Sequence, residues 1–300
     1  RSKIMSLKIG VLMGGPSEEK NVSFSSGKAV ADACRENEFE TTEFPFHLDY
    51  RRLLPDLKKQ DVIFNALHGG IGENGKIQTW LNKNNIKNTG SDPESSALCM
   101  DKVKSKNIVK NNDIKTPVWE MLNSVNDRPT LPLPFVIKPN DQGSTVGLTI
   151  IHDESEIDAG ITEAFEHSDL VMVERYIQGR ELTVTVLGEK AYPIVEIKPS
   201  HEFYDYECKY TPGMSHYICP ADIPEELTKS IQNNTEIIFK ALGCDVYARA
   251  DYLLVENGKY YFLEMNTLPG MTSTSLVPKS VNATGMSFEE LIKTIIELSL

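Results

Sequence analysis

The chain has 300 residues, 40% of them hydrophobic, enough to bury one large core or two to three smaller domains. A formal net charge of −12 argues against a nucleic-acid binder, which needs a basic surface. It leaves room for a small anionic ligand, which needs only a few local cations.

The first ninety residues alternate strand and helix signals. LKIGVLM (7–13) reads as a buried strand, GGPSEE as a turn with helix-start residues, and SFSSGKAVADAC (23–34) as a small-residue helix. FETTEFPF (39–46) and DVIFNAL (61–67) are further strands, so a βα pattern with a parallel sheet is expected. Residues 95–113 read as one helix, followed by the Pro-rich DRPTLPLP and the strand FVIKP (135–139). A Gly-rich segment, a helix over 154–165 and the strand LVMVERY (170–176) come next. Strands LTVTVL and AYPIVEI lead to an irregular aromatic stretch over 200–220, read as a loop. EELTKSIQNNTEIIFKALG is a helix with Gly243 as its cap, and SFEELIKTIIEL a helix opened by a Ser287–Glu290 capping box. Three lobes are expected: 1–90, 91–174 and 175–300.

No apolar run approaches the roughly 18 residues of a membrane helix, so no membrane partner is expected. The short apolar run Ile9–Met13 continues into Gly-Gly and reads as a strand, not a signal peptide. Cys34, Cys99, Cys208, Cys219 and Cys244 are scattered and form no C-x-x-C pair. That pattern reads as reduced thiols of a cytoplasmic protein.

The most informative stretch is ARADYLLVENGKYYFLEMN, where Asn257-Gly258 between apolar runs signals a hairpin. A two-residue turn there pairs Asp251 with Glu264 and Arg249 with Asn266. Facing carboxylates repel unless a positive charge sits between them. Asp, Glu and Asn together are hard oxygen ligands suited to Mg²⁺, which also takes substrate phosphates. The alternative is an Arg-linked salt-bridge cluster on an exposed face.

Three glycine-rich stretches compete as phosphate sites. GVLMGGPS (10–17) lacks the G-x-G-x-x-G spacing, and a tight βα turn explains it equally well. GIGENGKI (70–77) approximates a P-loop but carries Ile77 where Ser or Thr is needed, so that reading fails. In FVIKPNDQGSTVGL (135–148) a strand bearing Lys138 runs into a loop with Gly143, Ser144, Thr145 and Gly147. Such a loop can cover phosphates, although an ordinary Gly-rich turn is the alternative.

Taken in order, HGGIGENG, MDKVKSK, KPNDQGSTVG, FYDYECKY, ARAD and LEMNTLPGMTSTSLVP resemble the motifs of D-alanine–D-alanine ligases. The resemblance runs from about Lys8 to the C-terminus. It implies an α/β ATP-grasp fold, α+β in the ATP-binding lobes, behind an N-terminal parallel-sheet domain. The implied reaction joins two D-alanines with ATP for peptidoglycan synthesis, in the cytoplasm and in a homodimer. A second substrate such as D-lactate or D-serine is the competing reading.

The resemblance also assigns roles. Asp251, Glu264 and Asn266 are implied to hold two Mg²⁺ ions, with Mn²⁺ a substitute, on the ATP phosphates. Lys102, Lys138 and Lys209 are implied phosphate contacts, as is Ser144 in the loop above them. Glu174, Arg175, Ile177 and Glu181 match adenosine-binding positions, Arg175 standing where many members carry Lys. For Glu174 and Glu181, solvated surface charge is the alternative. Arg249 and the Gly270 N–H match an oxyanion hole, and Ser275 with the Leu276 N–H matches a carboxylate clamp. Glu19 matches the group receiving the first D-alanine's ammonium, with His68 nearby. Tyr210, Ser144 and Glu19 match a triad closing the 200–220 lid, and Tyr210 favours the dipeptide over an ester.

Overall fold

The computed structural model describes residues 6–199 and 215–300. Three sheets carry the architecture. In the first, β1 (Lys8–Gly14) lies between β2 (Glu40–Phe46) and β3 (Val62–Asn65), all parallel. Parallel neighbours require crossovers, which α1 (Lys20–Glu36) and α2 (Leu54–Leu57) supply. β1 is buried almost throughout, as expected for a central strand covered on both faces.

One face of this sheet packs against α1 and against the last helix, α9 (Phe288–Leu298), burying Ile9, Val11 and Phe64 with Leu291 and Ile295. The other face, with Leu12 and Ile63, meets Ile77 and Leu81 of α3 (Lys76–Lys83). The two ends of the chain therefore share one core.

The second sheet is antiparallel, in the order β4 (Trp119–Leu122), β7 (Val171–Arg175), β5 (Phe135–Pro139), β6 (Thr149–Ile151). The helix α6 (Ile157–Phe165) covers one face. The third runs β11 (Ser215–Ile218), β10 (Val195–Pro199), β8 (Arg180–Leu187), β12 (Tyr247–Leu254), β13 (Tyr260–Asn266), with β9 (Lys190–Ala191) beside β8. Its buried face packs on α7 (Glu225–Ala241) and on α5 (Lys102–Asn111), through Ile231, Ile238 and Val109. A short helix, α8 (Leu276–Asn282), follows β13. No helix of the described residues is long and apolar enough to cross a membrane.

Expected helix punctuation is present. Gly243 takes φ +68° after α7, and Ser287 and Glu290 exchange both capping hydrogen bonds, at 3.1 and 2.7 Å. Three expectations change. The helix over 95–113 is two helices, α4 (Pro93–Met100) and α5, separated by Asp101 in an extended conformation. Asp101 there accepts from the Lys104 N–H at 3.2 Å and the Asn140 amide at 2.9 Å. A side chain that caps a new helix competes with continuing the old one. Residues 215–218, read as loop, extend the third sheet by pairing with β10.

The third change concerns the hairpin. Val255 and Lys259 close a loop of Glu256, Asn257 and Gly258, with Gly258 left-handed at φ +79°. That odd-length loop shifts the pairing by one residue, and a bulge at Leu263 shifts it back. Asp251 still faces Glu264, and Arg249 still faces Asn266.

Asp101→Ala removes both the cap and the Asn140 tether. We expect a loss of about 1–2 kcal/mol, read as a lower urea midpoint with unchanged slope. An unaltered midpoint would contradict the capping account.

Candidate active site

Alternation along β12 buries Ala248, Ala250, Tyr252 and Leu254 and leaves Arg249, Asp251 and Leu253 half-buried on the opposite face. On β13 the bulge does something simple alternation cannot: the consecutive residues Leu263 and Glu264 both line one cleft. An apolar wall and a carboxylate thereby come to stand side by side. Arg249 donates two bonds of 2.8 Å to the Asp251 carboxylate, and the Lys102 Nζ lies 3.5 Å from Glu264. The Arg-linked cluster therefore exists, but within the cleft and not on an exposed face.

The cleft lies between the second and third sheets and encloses a cavity of about 470 Å³, within the usual size for a small-molecule site. Lys102, Lys138, Ser144, Glu174, Arg175, Ile177 and Glu181 all line it, as do Asp251 and Glu264. Its walls include Val136, Leu148, Ile150, Ile197 and Leu253, an apolar slot opening onto charge.

Glu174 is not a solvated surface charge. It is 3% exposed and held between the ammonium groups of Lys138, at 2.8 Å, and Lys106. Burial opposes its charge, but those two cations outweigh it and hold its carboxyl below the usual range. Lys106 was not singled out from the sequence. It is fully buried, lies 5.2 Å from the Trp119 ring centroid, and burial pushes its pKa down to about 8. Burial likewise lowers the pKa of Lys102, against the pull of Glu264.

A second, narrower cavity of about 60 Å³ adjoins the first and shares Lys102, Gln142, Gly143, Ser144 and Glu264 with it. Glu19, His68, Arg249, Asn266 and Gly270 also line it. Glu19 stands immediately before α1, and the Ser144 hydroxyl donates to it at 2.5 Å. Gly69 explains the fit: a Cβ there would fall 2.8 Å from the Glu19 carboxylate, and its φ is +66°.

The His68 ring is fully engaged. Its Nδ1 lies 3.1 Å from the Leu268 carbonyl, which can only accept, so Nδ1 carries the proton. Its Nε2 then accepts from Ser26, 3.0 Å away, whose oxygen in turn receives the Met271 N–H at 3.2 Å. Burial lowers the His68 pKa, in keeping with this neutral tautomer. His68 thus ties the 268–271 turn, which carries Gly270, to helix α1.

Glu73 also lines this cavity and was missed, because it reads as one polar residue in a glycine-rich loop. Burial, reinforced by the negative charge of Glu19, pushes its pKa up to about 8. Ser275 and Leu276 do not line either cavity. They lie beside it: an ideal Gly270 Cβ would fall 3.1 Å from the Ser275 hydroxyl, and Leu276 opens α8. Lys209 and Tyr210 fall outside the described residues.

Residues 101–297 match the family model described as D-ala D-ala ligase C-terminus. The chain belongs to the D-alanine–D-alanine ligase family. A D-alanine–D-alanine ligase of Halalkalibacterium halodurans is 44% identical over 306 residues, covering 98% of this chain and 99% of that one. One from Syntrophotalea carbinolica is 44% identical over 300 residues, covering 99% and 97%.

Among solved structures, the Bacillus anthracis D-alanine–D-alanine ligase complexed with ATP superposes with a TM-score of 0.86 at 35% identity, covering 98% of this chain and 97% of that one. The VanG D-Ala:D-Ser ligase of Enterococcus faecalis gives 0.85 at 31%, covering 98% and 100%. The ATP-grasp fold with its parallel N-terminal sheet is therefore shown, while members with different second substrates share it.

Two outcomes test this electrostatic picture of the ligase. Lys106→Met leaves a buried carboxylate with one fewer cation and should cost about 3–5 kcal/mol, seen in denaturant unfolding. Loss below about 1 kcal/mol would mean that Lys138 alone suffices. Glu73 has a folded pKa above its unfolded one, so ionising it weakens folding increasingly as pH rises from the usual carboxyl range towards about 8. Glu73→Gln should therefore raise the ligand-free Tm at pH 8 by at least about 2 °C and leave it unchanged near pH 4. Equal shifts at both pH values would contradict this.

Proposed function

We propose that this chain condenses two D-alanines into D-alanyl-D-alanine for peptidoglycan precursors, converting ATP to ADP and phosphate through an acyl phosphate. The observation that carries the reading is the continuity of the two cavities. The charged end of a nucleotide-sized slot meets a narrow polar cavity at Lys102, Gly143, Ser144 and Glu264.

In this reading the nucleotide base occupies the apolar slot, beside Ile177, Arg175 and Glu174, with Glu181 at the ribose. Lys102 and Lys138 face the phosphates, and the 143–147 loop covers them. Lys209, on the proposed lid, adds a third cation. Asp251, Glu264 and Asn266 offer hard oxygens from one face of two adjacent strands, which suits Mg²⁺. Among the described residues no three His, Cys, Asp or Glu side chains form a metal cluster; Asp251, Glu264 and Asn266 would share a bound ion with substrate phosphates. Two bound Mg²⁺ ions would neutralise the charge of the transferring phosphoryl group.

The first D-alanine places its ammonium at Glu19 and its carboxylate towards the γ-phosphate. That carboxylate attacks phosphorus and ADP leaves. The second D-alanine, its carboxylate at Ser275 and the Leu276 N–H, attacks the acyl carbonyl through its amine. The developing oxyanion is stabilised by Arg249, whose guanidinium stays charged at any working pH, and by the Gly270 N–H. Phosphate then leaves and the peptide bond remains. The Ser144 hydroxyl donates to Glu19, and in this reading Tyr210, outside the described residues, would complete a latch that keeps water from the acyl phosphate. We take 1–90, 91–174 and 175–300 as the lobes that close around the site.

Phosphate release from Mg·ATP should require D-alanine and fail with L-alanine, and mass analysis should find the dipeptide. With D-alanine plus D-serine or D-lactate, a dominant mixed product would reassign the second substrate. No release with any of these would overturn the reading.

A further inference from the structure

Two thiols that the reaction does not use face each other beside the small cavity. Cys99 lies in the last turn of α4 and Cys244 between α7 and β12. Their sulfurs are 3.6 Å apart and hydrogen-bonded, and the Ser95 hydroxyl donates to Cys244 at 3.5 Å. Both are largely buried, at 5% and 9% exposure, but Cys99 lines the small cavity. The other described cysteines differ. Cys34 is buried in the first lobe, where burial pushes its pKa up to about 12, and Cys219 is half-buried beside β11.

We propose that Cys99 and Cys244 are a modification site: a dithiol that a small hydroperoxide oxidises to a disulfide, lowering turnover reversibly. One of the two sulfurs attacks a peroxide oxygen, the O–O bond breaks, and the alcohol or water leaves. The resulting sulfenic acid is attacked by the other sulfur, the S–O bond breaks, and water carries off the oxygen. Two thiols and one hydroperoxide give one disulfide, one alcohol and one water.

The consequence follows from position. A disulfide bond is about 2.0 Å long, so the two sulfurs must close by about 1.5 Å. Three residues after Cys99 stands Lys102, whose Nζ donates to the Gln142 carbonyl and neighbours Glu264. Asp101 and the Lys102 and Val103 N–H groups also hold Asn140, which anchors the loop over the site. Drawing the end of α4 towards Cys244 shifts that anchor and reshapes the cavity wall. A misplacement of about 1 Å in an active site can cost about a hundredfold in rate.

The test treats the full-length protein with hydrogen peroxide and maps its peptides under non-reducing conditions. The crosslink is read by mass independently of any activity, and only the loss of turnover rests on the ligase reading. We expect a Cys99–Cys244 peptide pair lacking two hydrogens, a loss of turnover of at least about tenfold, and recovery with dithiothreitol. Cys244→Ser, with Cys244→Ala as a second variant should the first fold poorly, should start at normal turnover and resist peroxide. If the pair never forms, the site is refuted. A crosslink without loss of turnover, or equal inactivation of both Cys244 variants, refutes its inhibitory effect. Should no ligase turnover exist, ATP binding before and after oxidation provides the second readout, and unchanged binding refutes the effect.

Discussion

The site depends on one constraint, the pairing of β12 with β13 that sets Asp251 opposite Glu264. Two carboxylates on neighbouring strands repel, and half-buried ones do so more strongly than exposed ones. The fold meets this by supplying cations to each: Arg249 to Asp251 from the same strand, and Lys102 to Glu264 from α5. A bound divalent ion would relieve the same repulsion and free Arg249 to turn towards substrate. The bulge at Leu263 is part of this arrangement, since it lets a carboxylate and an apolar wall residue share one face.

The remaining contacts hold the parts in register around that pair. Glu174, locked between Lys106 and Lys138, joins α5 to two strands of the second sheet. A buried carboxylate so placed contributes little net stability relative to an apolar core, but losing one partner is costly. His68 performs a comparable task between the first sheet's α1 and the turn after β13. Ser144 reaches across from the second sheet's loop to Glu19. The cavities are bounded by residues far apart in sequence, so their shape depends on these few polar ties.

Much of this was legible in the sequence because periodicity and punctuation report local structure well. The strands around Val11, Val136 and Val184 announce themselves as apolar runs, and Gly243 and Ser287 mark helix ends. The facing of Asp251 and Glu264 was also legible, although through two offsets that cancel: a three-residue loop and a bulge. Neither has a distinct signature in ENGKYYFLE. The division of the 95–113 helix at Asp101 depends on a partner, Asn140, that sequence proximity cannot reveal. Lys106 and Glu73 were passed over for the same reason. A lysine on a helix and a glutamate in a glycine loop look solvated until the fold buries the one and sets the other in a cavity wall. The family resemblance proposed the site residues, whereas their burial and hydrogen-bond partners came only from the fold.

The most direct test is a count of metal ions. Mn²⁺ can stand in for Mg²⁺, and its paramagnetism reports binding without turnover. Titrated into the chain with ATP and followed by electron paramagnetic resonance, it should saturate at two ions per chain. Glu264→Ala should weaken or lose at least one of them while the variant still folds. Identical stoichiometry and affinity in that variant would show that the paired strands do not build the metal site, and the account of the cleft would fail.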